Sequence, residues 1–318
     1  TYFKRRFDTD MEEDWILYSP SVMYSVSLLI RLLSQPHDKV LTMNPMYDSF
    51  ISVIKENDRE LVSHHLIKEE GTFKIDFDVF EKQAQESALL LLCSPHNPTG
   101  RIWSDEEMHR MIEICKKYQV KIISDEIHMD IRIKDAKHHP LMKYYGEYKD
   151  IFTASSSSKT LNTPGLIGSY VIIPDEKIRD EFLGVTRRRD FLNSASIFGM
   201  YATMIGYTEC DDYIDQLNEY IRGNMELVEN FIRDELKDFK FQRPEATYLA
   251  WIDARDVPFT SDEIQDALVN VGGVAIMKGE IYGENGAKYL RMNLGCPRSK
   301  IEEGLKRFKK AMDYLYNK

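Results

Sequence analysis

The alternation of apolar and polar positions divides the chain into short strands and amphipathic helices. Apolar residues at 22, 26, 29, 30 and 33 recur at helical spacing and predict a helix over Val22–Leu33. The continuous apolar run at 88–93 predicts a strand buried on both faces, as in a parallel sheet covered by helices. Further strands are predicted at 15–18, 39–43, 60–66, 120–124, 151–154 and 168–173, with helices at 48–57 and 76–87. Ser104 with Glu107 is a capping box, and Met108, Met111, Ile112 and Cys115 form the apolar stripe of the helix that follows. Strands alternating with helices predict an α/β fold with a doubly wound, mainly parallel sheet.

After Asp175 the pattern changes. Residues 176–190 and 196–237 read as largely helical, with later strands at 247–253, 273–277 and 289–294 and helices at 261–270 and 298–316. This predicts a smaller α+β lobe beginning near residue 215. The expected division is a large domain over 15–215 and a small C-terminal domain over 216–318. Residues 1–14 read as the tail of a helix, apolar at Phe3 and Phe7, and as the remnant of an N-terminal segment. The chain opens on Thr1, so a preceding segment is expected to be missing.

Composition narrows the function classes. The 318 residues carry a net charge of −10, which argues against a nucleic-acid surface and against an anionic membrane. The longest apolar run is too short to span a bilayer. Cys93, Cys115, Cys210 and Cys296 are scattered without a CxxC pair, as expected of free thiols in a reducing, cytoplasmic setting. The pairs His64–His65 and His138–His139 lack metal-ligand company and read as loop or surface histidines, so no metal is expected.

The candidate chemistry lies just after the strands. Asp125 ends an apolar strand in Ile-Ile-Ser-Asp-Glu-Ile-His, and Lys159 ends a serine run, Ser-Ser-Ser-Ser-Lys-Thr, after the next strand. A lysine amine can hold an aldehyde as a Schiff base, and a carboxylate can keep a pyridine nitrogen protonated. The pair therefore points to pyridoxal phosphate. Asn97, on the turn His-Asn-Pro-Thr-Gly, suits a phenolic oxygen, and the Ser156 hydroxyl can reach a phosphate. The turn Ser-Pro-Ser before Val22 offers backbone N–H groups at a helix start. Arg291 can clamp a carboxylate with two parallel hydrogen bonds. Singly, each residue has an ordinary structural reading: a helix cap, a solvated lysine, a surface ion pair. Their order and spacing carry the joint reading.

The motifs at 94–103, 124–130, 158–162 and 291–298 together resemble the fold-type I pyridoxal-phosphate enzymes, aminotransferase class I/II, over essentially the whole chain. Within that class the chain is most similar to the MalY/PatB-type cystathionine β-lyase (C–S lyase) branch. The resemblance implies that Lys159 carries the cofactor and Asp125 pairs with its ring nitrogen. Asn97 and His128 would contact the ring oxygen, and Tyr47 would stack on the ring. Val22 and Met23 would cradle the phosphate with Ser156, and Arg291 would bind the substrate carboxylate. It also implies a homodimer acting on an amino acid. Ser21 and Tyr24 depart from the family's usual phosphate turn, and no phosphate-gripping Arg follows Lys159, as in the lyase branch. The expected reaction is cleavage of cystathionine or a related thioether to pyruvate, ammonia and a thiol. An aminotransferase or a pyridoxal-phosphate-binding regulatory protein are the alternatives.

Overall fold

The computed structural model of the chain describes residues 1–192 and 194–318. Its strands are β1 (Ile16–Ser19), β2 (Lys39–Asn44), β3 (Glu60–His65), β4 (Ile67–Glu69), β5 (Thr72–Lys74), β6 (Leu89–Cys93), β7 (Lys121–Asp125), β8 (Ile151–Ser155), β9 (Ser169–Ile172), β10 (Leu249–Asp253), β11 (Met277–Lys278) and β12 (Tyr289–Asn293). The helices are α1 (Tyr2–Phe7), α2 (Val22–Leu33), α3 (Asp48–Lys55), α4 (Phe77–Gln85), α5 (Asp105–Tyr118), α6 (Glu176–Leu183), α7 (Ile197–Glu209), α8 (Asp211–Glu235), α9 (Ser261–Ala267) and α10 (Arg298–Tyr316).

A seven-stranded sheet in the order β1-β9-β8-β7-β6-β2-β3 forms the middle layer. β6 shows why it must be covered twice. Leu90 and Leu92 pack with α4 and α5 residues such as Phe80 and Met111, whereas Leu89 and Leu91 pack with Leu29 of α2 and Phe50 of α3. Side chains alternate across a strand, so an all-apolar strand is stable only between two helical layers. Each of these leucines is at most 1% exposed, a burial that contributes about 2 kcal/mol per side chain. The capping box of Ser104 and Glu107 starts α5, and α2 runs over the predicted residues.

β2, β3, β6, β7 and β8 pair in parallel, but β9 runs antiparallel to both β8 and β1. The parallel pattern therefore stops at β8. Residues 156–168 form turns and one short 3₁₀ segment, with no crossover helix to carry the chain back for parallel pairing. The β4–β5 hairpin escaped the sequence reading. Its turn uses Glu70 (φ 50°) and Gly71 (φ 81°), the positive-φ pair that such hairpins require. The strand expected at 273–277 is reduced to Met277–Lys278, because Gly273 (φ 68°) closes the preceding helical turn.

A second sheet, β10-β12-β11, packs with α8, α9 and α10 around its own core of Ile221, Leu268, Leu290 and Phe308, joined by Ile131 and Ile133. The two sheets are stitched beside β2. Met46 N–H donates to Tyr282 O (2.8 Å), and Asn285 Nδ2 donates to Asn44 O (3.2 Å) and Leu66 O (2.9 Å).

Candidate active site

The carboxyl ends of the parallel strands and the start of α2 converge on a cleft of about 380 Å³. β7 delivers Asp125 and, just beyond it, His128. β8 leads into the turn carrying Ser156 and Lys159, β6 leads to Asn97, and β2 leads to Tyr47. Val22 and Met23 stand at the first turn of α2, and Arg291 enters from β12. Every predicted site residue lines this one cleft. A wider cleft of about 620 Å³ lies beside the β4–β5 hairpin, where Lys68 and Arg255 both bind Asp253.

Asp125 is 4% exposed, and one of its oxygens accepts the Ile127 N–H (3.1 Å). Burial pushes its carboxyl up to about 7, and the Lys159 ammonium acts in the opposite direction. Among the described residues no basic side chain forms an ion pair with it. His128 is likewise buried, its ring edge-to-face with Tyr248 at 5.6 Å, and its Nδ1 has no hydrogen-bond partner among the described residues. Burial, reinforced by the Lys159 and Arg291 cations, pushes the imidazole down to about 3, so it is neutral in ordinary buffers.

Arg291 is held from two sides. Its guanidinium lies 4.5 Å from the centre of the buried Tyr282 ring, and Nη1 donates to Asn97 Oδ1 at 3.3 Å. Lys159 is exposed on its turn and makes no ion pair among the described residues. At the α2 start, Ser21 caps Tyr24 N (3.1 Å), which leaves the Val22 and Met23 N–H groups without an intrahelical acceptor. Such a helix start is suited to an anion. Ser156 lines the cleft, but its hydroxyl donates to Gly168 O, and its oxygen accepts Ser158 N–H (3.1 Å). Its single proton is already engaged, so the backbone N–H groups are the freer donors.

Sequence reasoning missed Tyr248, Asn293 and Gly168 as cleft residues. Tyr248 precedes β10, whose Trp251 is registered opposite Arg291, so the pairing of the last strands was the signal that could have found it. Two histidines read as surface residues are buried. His64 lies inside β3 and bonds Gln83 Oε1 (2.7 Å), and His138 is fully enclosed near Glu126. A polar residue beside turn signals reads as loop even where the fold packs over it.

The family model for aminotransferase class I and II matches residues 2–308, and this chain belongs to that family. It is 35% identical to Protein MalY of Escherichia coli (strain K12), over 96% of this chain and 78% of MalY. It is 32% identical to cystathionine beta-lyase PatB of Bacillus subtilis (strain 168), over 98% of this chain and 81% of PatB. Among solved structures, cystalysin from Treponema denticola, which contains a pyridoxal 5′-phosphate cofactor, superposes with a TM-score of 0.93 at 31% identity. That match covers 99% of this chain and 80% of cystalysin.

Proposed function

We propose that this chain is a pyridoxal-phosphate-dependent carbon–sulfur β-lyase acting on cystathionine or a related cysteine thioether. The observation that carries the reading is the convergence of Lys159, Asp125, Asn97 and Arg291 on one cleft. The residues fit the cofactor. A buried carboxyl without a cation suits a ring N–H, an unpartnered buried histidine nitrogen suits a polar ligand, and an open helix start suits a phosphate.

Lys159 would hold the cofactor aldehyde, Asp125 its ring nitrogen, Asn97 and His128 its ring oxygen, and Tyr47 its face. Val22 and Met23 would hold its phosphate, with Ser156 beside them. When bound, the cofactor supplies an electron sink for the pair of electrons left at Cα. Arg291 grips the substrate carboxylate and so fixes Cα over the cleft floor. Once the substrate's amine has taken its place at the aldehyde, the freed Lys159 amine would take the Cα proton. A thiolate then leaves from Cβ, and the neutral His128 adds no competing positive charge beside Asp125.

We further place the chain in the cytoplasm as a homodimer, with a large lobe over 15–215, onto whose core Tyr2, Phe3 and Phe7 also pack, and a small lobe over 216–318. The free thiols of Cys93 and Cys115 suit a reducing compartment. Among the described residues no helix is long and apolar enough to cross a membrane. α7 presents Phe198 (77% exposed), Tyr201 and Met204 to solvent, an apolar face suited to a second copy. Gly199 of the same helix packs on the 166–167 backbone at the cleft rim, which sets that face next to the site.

The test is to supply cystathionine with cofactor and no keto acid. Continuous release of pyruvate and homocysteine supports elimination. A single stoichiometric conversion that resumes only with a keto acid makes the chain an aminotransferase, and cofactor binding without any reaction makes it a regulatory protein.

A further inference from the structure

Beside the cleft lies a buried carboxylate that the mechanism above does not use. Asp130, five residues beyond Asp125, is 2% exposed. Its two oxygens are divided between distant parts of the chain: Oδ1 accepts the Tyr2 hydroxyl at 2.5 Å, and Oδ2 accepts the Thr160 hydroxyl at 3.0 Å. Its backbone carbonyl accepts Asn218 Nδ2 at 2.9 Å. Among the described residues no cation pairs with it directly. Burial raises its pKa against those two hydroxyls and the more remote Arg6 and His138.

A buried acid held only by neutral hydroxyls is costly to keep, and an apolar core would serve stability as well. What the acid adds is direction. Thr160 follows Lys159 and is fully buried, whereas Lys159 itself is exposed on the turn. Leu161 N–H to Ser157 O (2.8 Å) and Thr163 N–H to Ser158 O (3.0 Å) close that turn on itself, and Leu161 packs against Gly206 of α7. The Thr160–Asp130 bond ties the turn to the segment that carries His128 and follows directly on Asp125 at the end of β7. Thr160 has one hydroxyl proton, and it is committed to Asp130.

We propose that Asp130 is a positioning residue for Lys159, acting through Thr160 to hold the lysine in register with Asp125, and that Tyr2 of α1 braces it from behind. This rests on the reading of Lys159 as the residue that carries the cofactor. The experiment uses the full chain with bound pyridoxal phosphate and compares Thr160→Val, Thr160→Ser and Asp130→Asn. The readouts are cofactor affinity and the pH titration of the bound cofactor's visible absorbance, with thermal stability measured alongside. Disturbing this buried bond should weaken cofactor affinity about tenfold in Thr160→Val and in Asp130→Asn. The absorbance midpoint should move by about one pH unit, and Thr160→Ser should match the parent protein. If Thr160→Val binds and titrates like the parent, even with a lower melting temperature, the bond is only structural and the proposal is overturned. Should Asp130→Asn fail to fold, the Thr160 pair decides. A parent protein that takes up no lysine-linked cofactor overturns the cofactor reading and this proposal with it.

Discussion

Arg291 Nη1 lies 3.3 Å from Asn97 Oδ1, although the two residues are 194 positions apart in the chain. The group expected to grip the substrate thus touches the group expected to hold the cofactor's ring oxygen. The bond joins the second sheet to a turn of the first.

Arg291→Lys should raise KM for the amino acid by about ten- to a hundredfold while leaving the cofactor spectrum unchanged. Lysine cannot reproduce the planar two-point contact, nor lie flat against Tyr282. Steady-state kinetics with a spectrum of each variant checks this. A collapsed spectrum with an unmoved KM would make Arg291 structural.

Lys159→Ala should abolish turnover, and borohydride treatment of the loaded parent protein should fix the cofactor on the peptide containing Lys159. Peptide mapping decides, and a label on any other lysine refutes the assignment.

Asp125 predicts a pH effect in the cofactor-free protein. Its carboxyl sits near 7 when folded, against the ordinary 3.8. Between those values the folded state binds the extra proton, so stability falls as pH rises from about 4 to about 7. The difference between the parent protein and Asp125→Asn should reach about 4 kcal/mol at most, and bound cofactor should shrink it by supplying a positive partner. Melting curves across that range test the sign. With cofactor, Asp125→Asn should keep binding and lose kcat by about a hundredfold or more.

His128, pushed down to about 3, should contribute no titration between pH 5 and 8. His128→Gln should lower activity without changing the shape of the kcat/KM profile over that range. Loss of a limb from the profile would show that the imidazole is charged in the working enzyme.

Phe198→Glu on α7 should convert a dimer to a monomer, because a charge would replace a side chain that is 77% exposed on an apolar face. Light scattering reads the mass. A parent protein that is monomeric and fully active would remove the homodimer.

The site was more legible in the sequence than parts of the fold were. Asp125, Lys159 and Asn97 follow strands whose apolar runs are unmistakable, and a strand end in an open α/β sheet is where ligands bind. Arg291 was found by its motif, but its rest on Tyr282 was not, since a ring beneath a guanidinium depends on tertiary packing. The direction of β9 was hidden because hydrophobic pattern marks a strand without marking its sense. Asp130 and Ser156 show a further limit. Their polar atoms are engaged by Thr160 and Gly168, partners that no local spacing identifies.

The bonds from Met46 and Asn285 that join the two sheets lie beside the turn bearing Tyr47 and behind Tyr282. A second set of bonds, from Thr247 N–H to Ile131 O (2.9 Å) and from Ala246 N–H to Gly100 O (2.9 Å), fastens the same two parts of the chain at another place, so the cleft walls are nailed at more than one corner. Arg291, resting on Tyr282 and bonded to Asn97, is therefore held in place relative to Tyr47. The rim at Ile167, by contrast, is 53% exposed. A thioether of any length would enter by that rim, and its bulk would be sensed there rather than at the carboxylate.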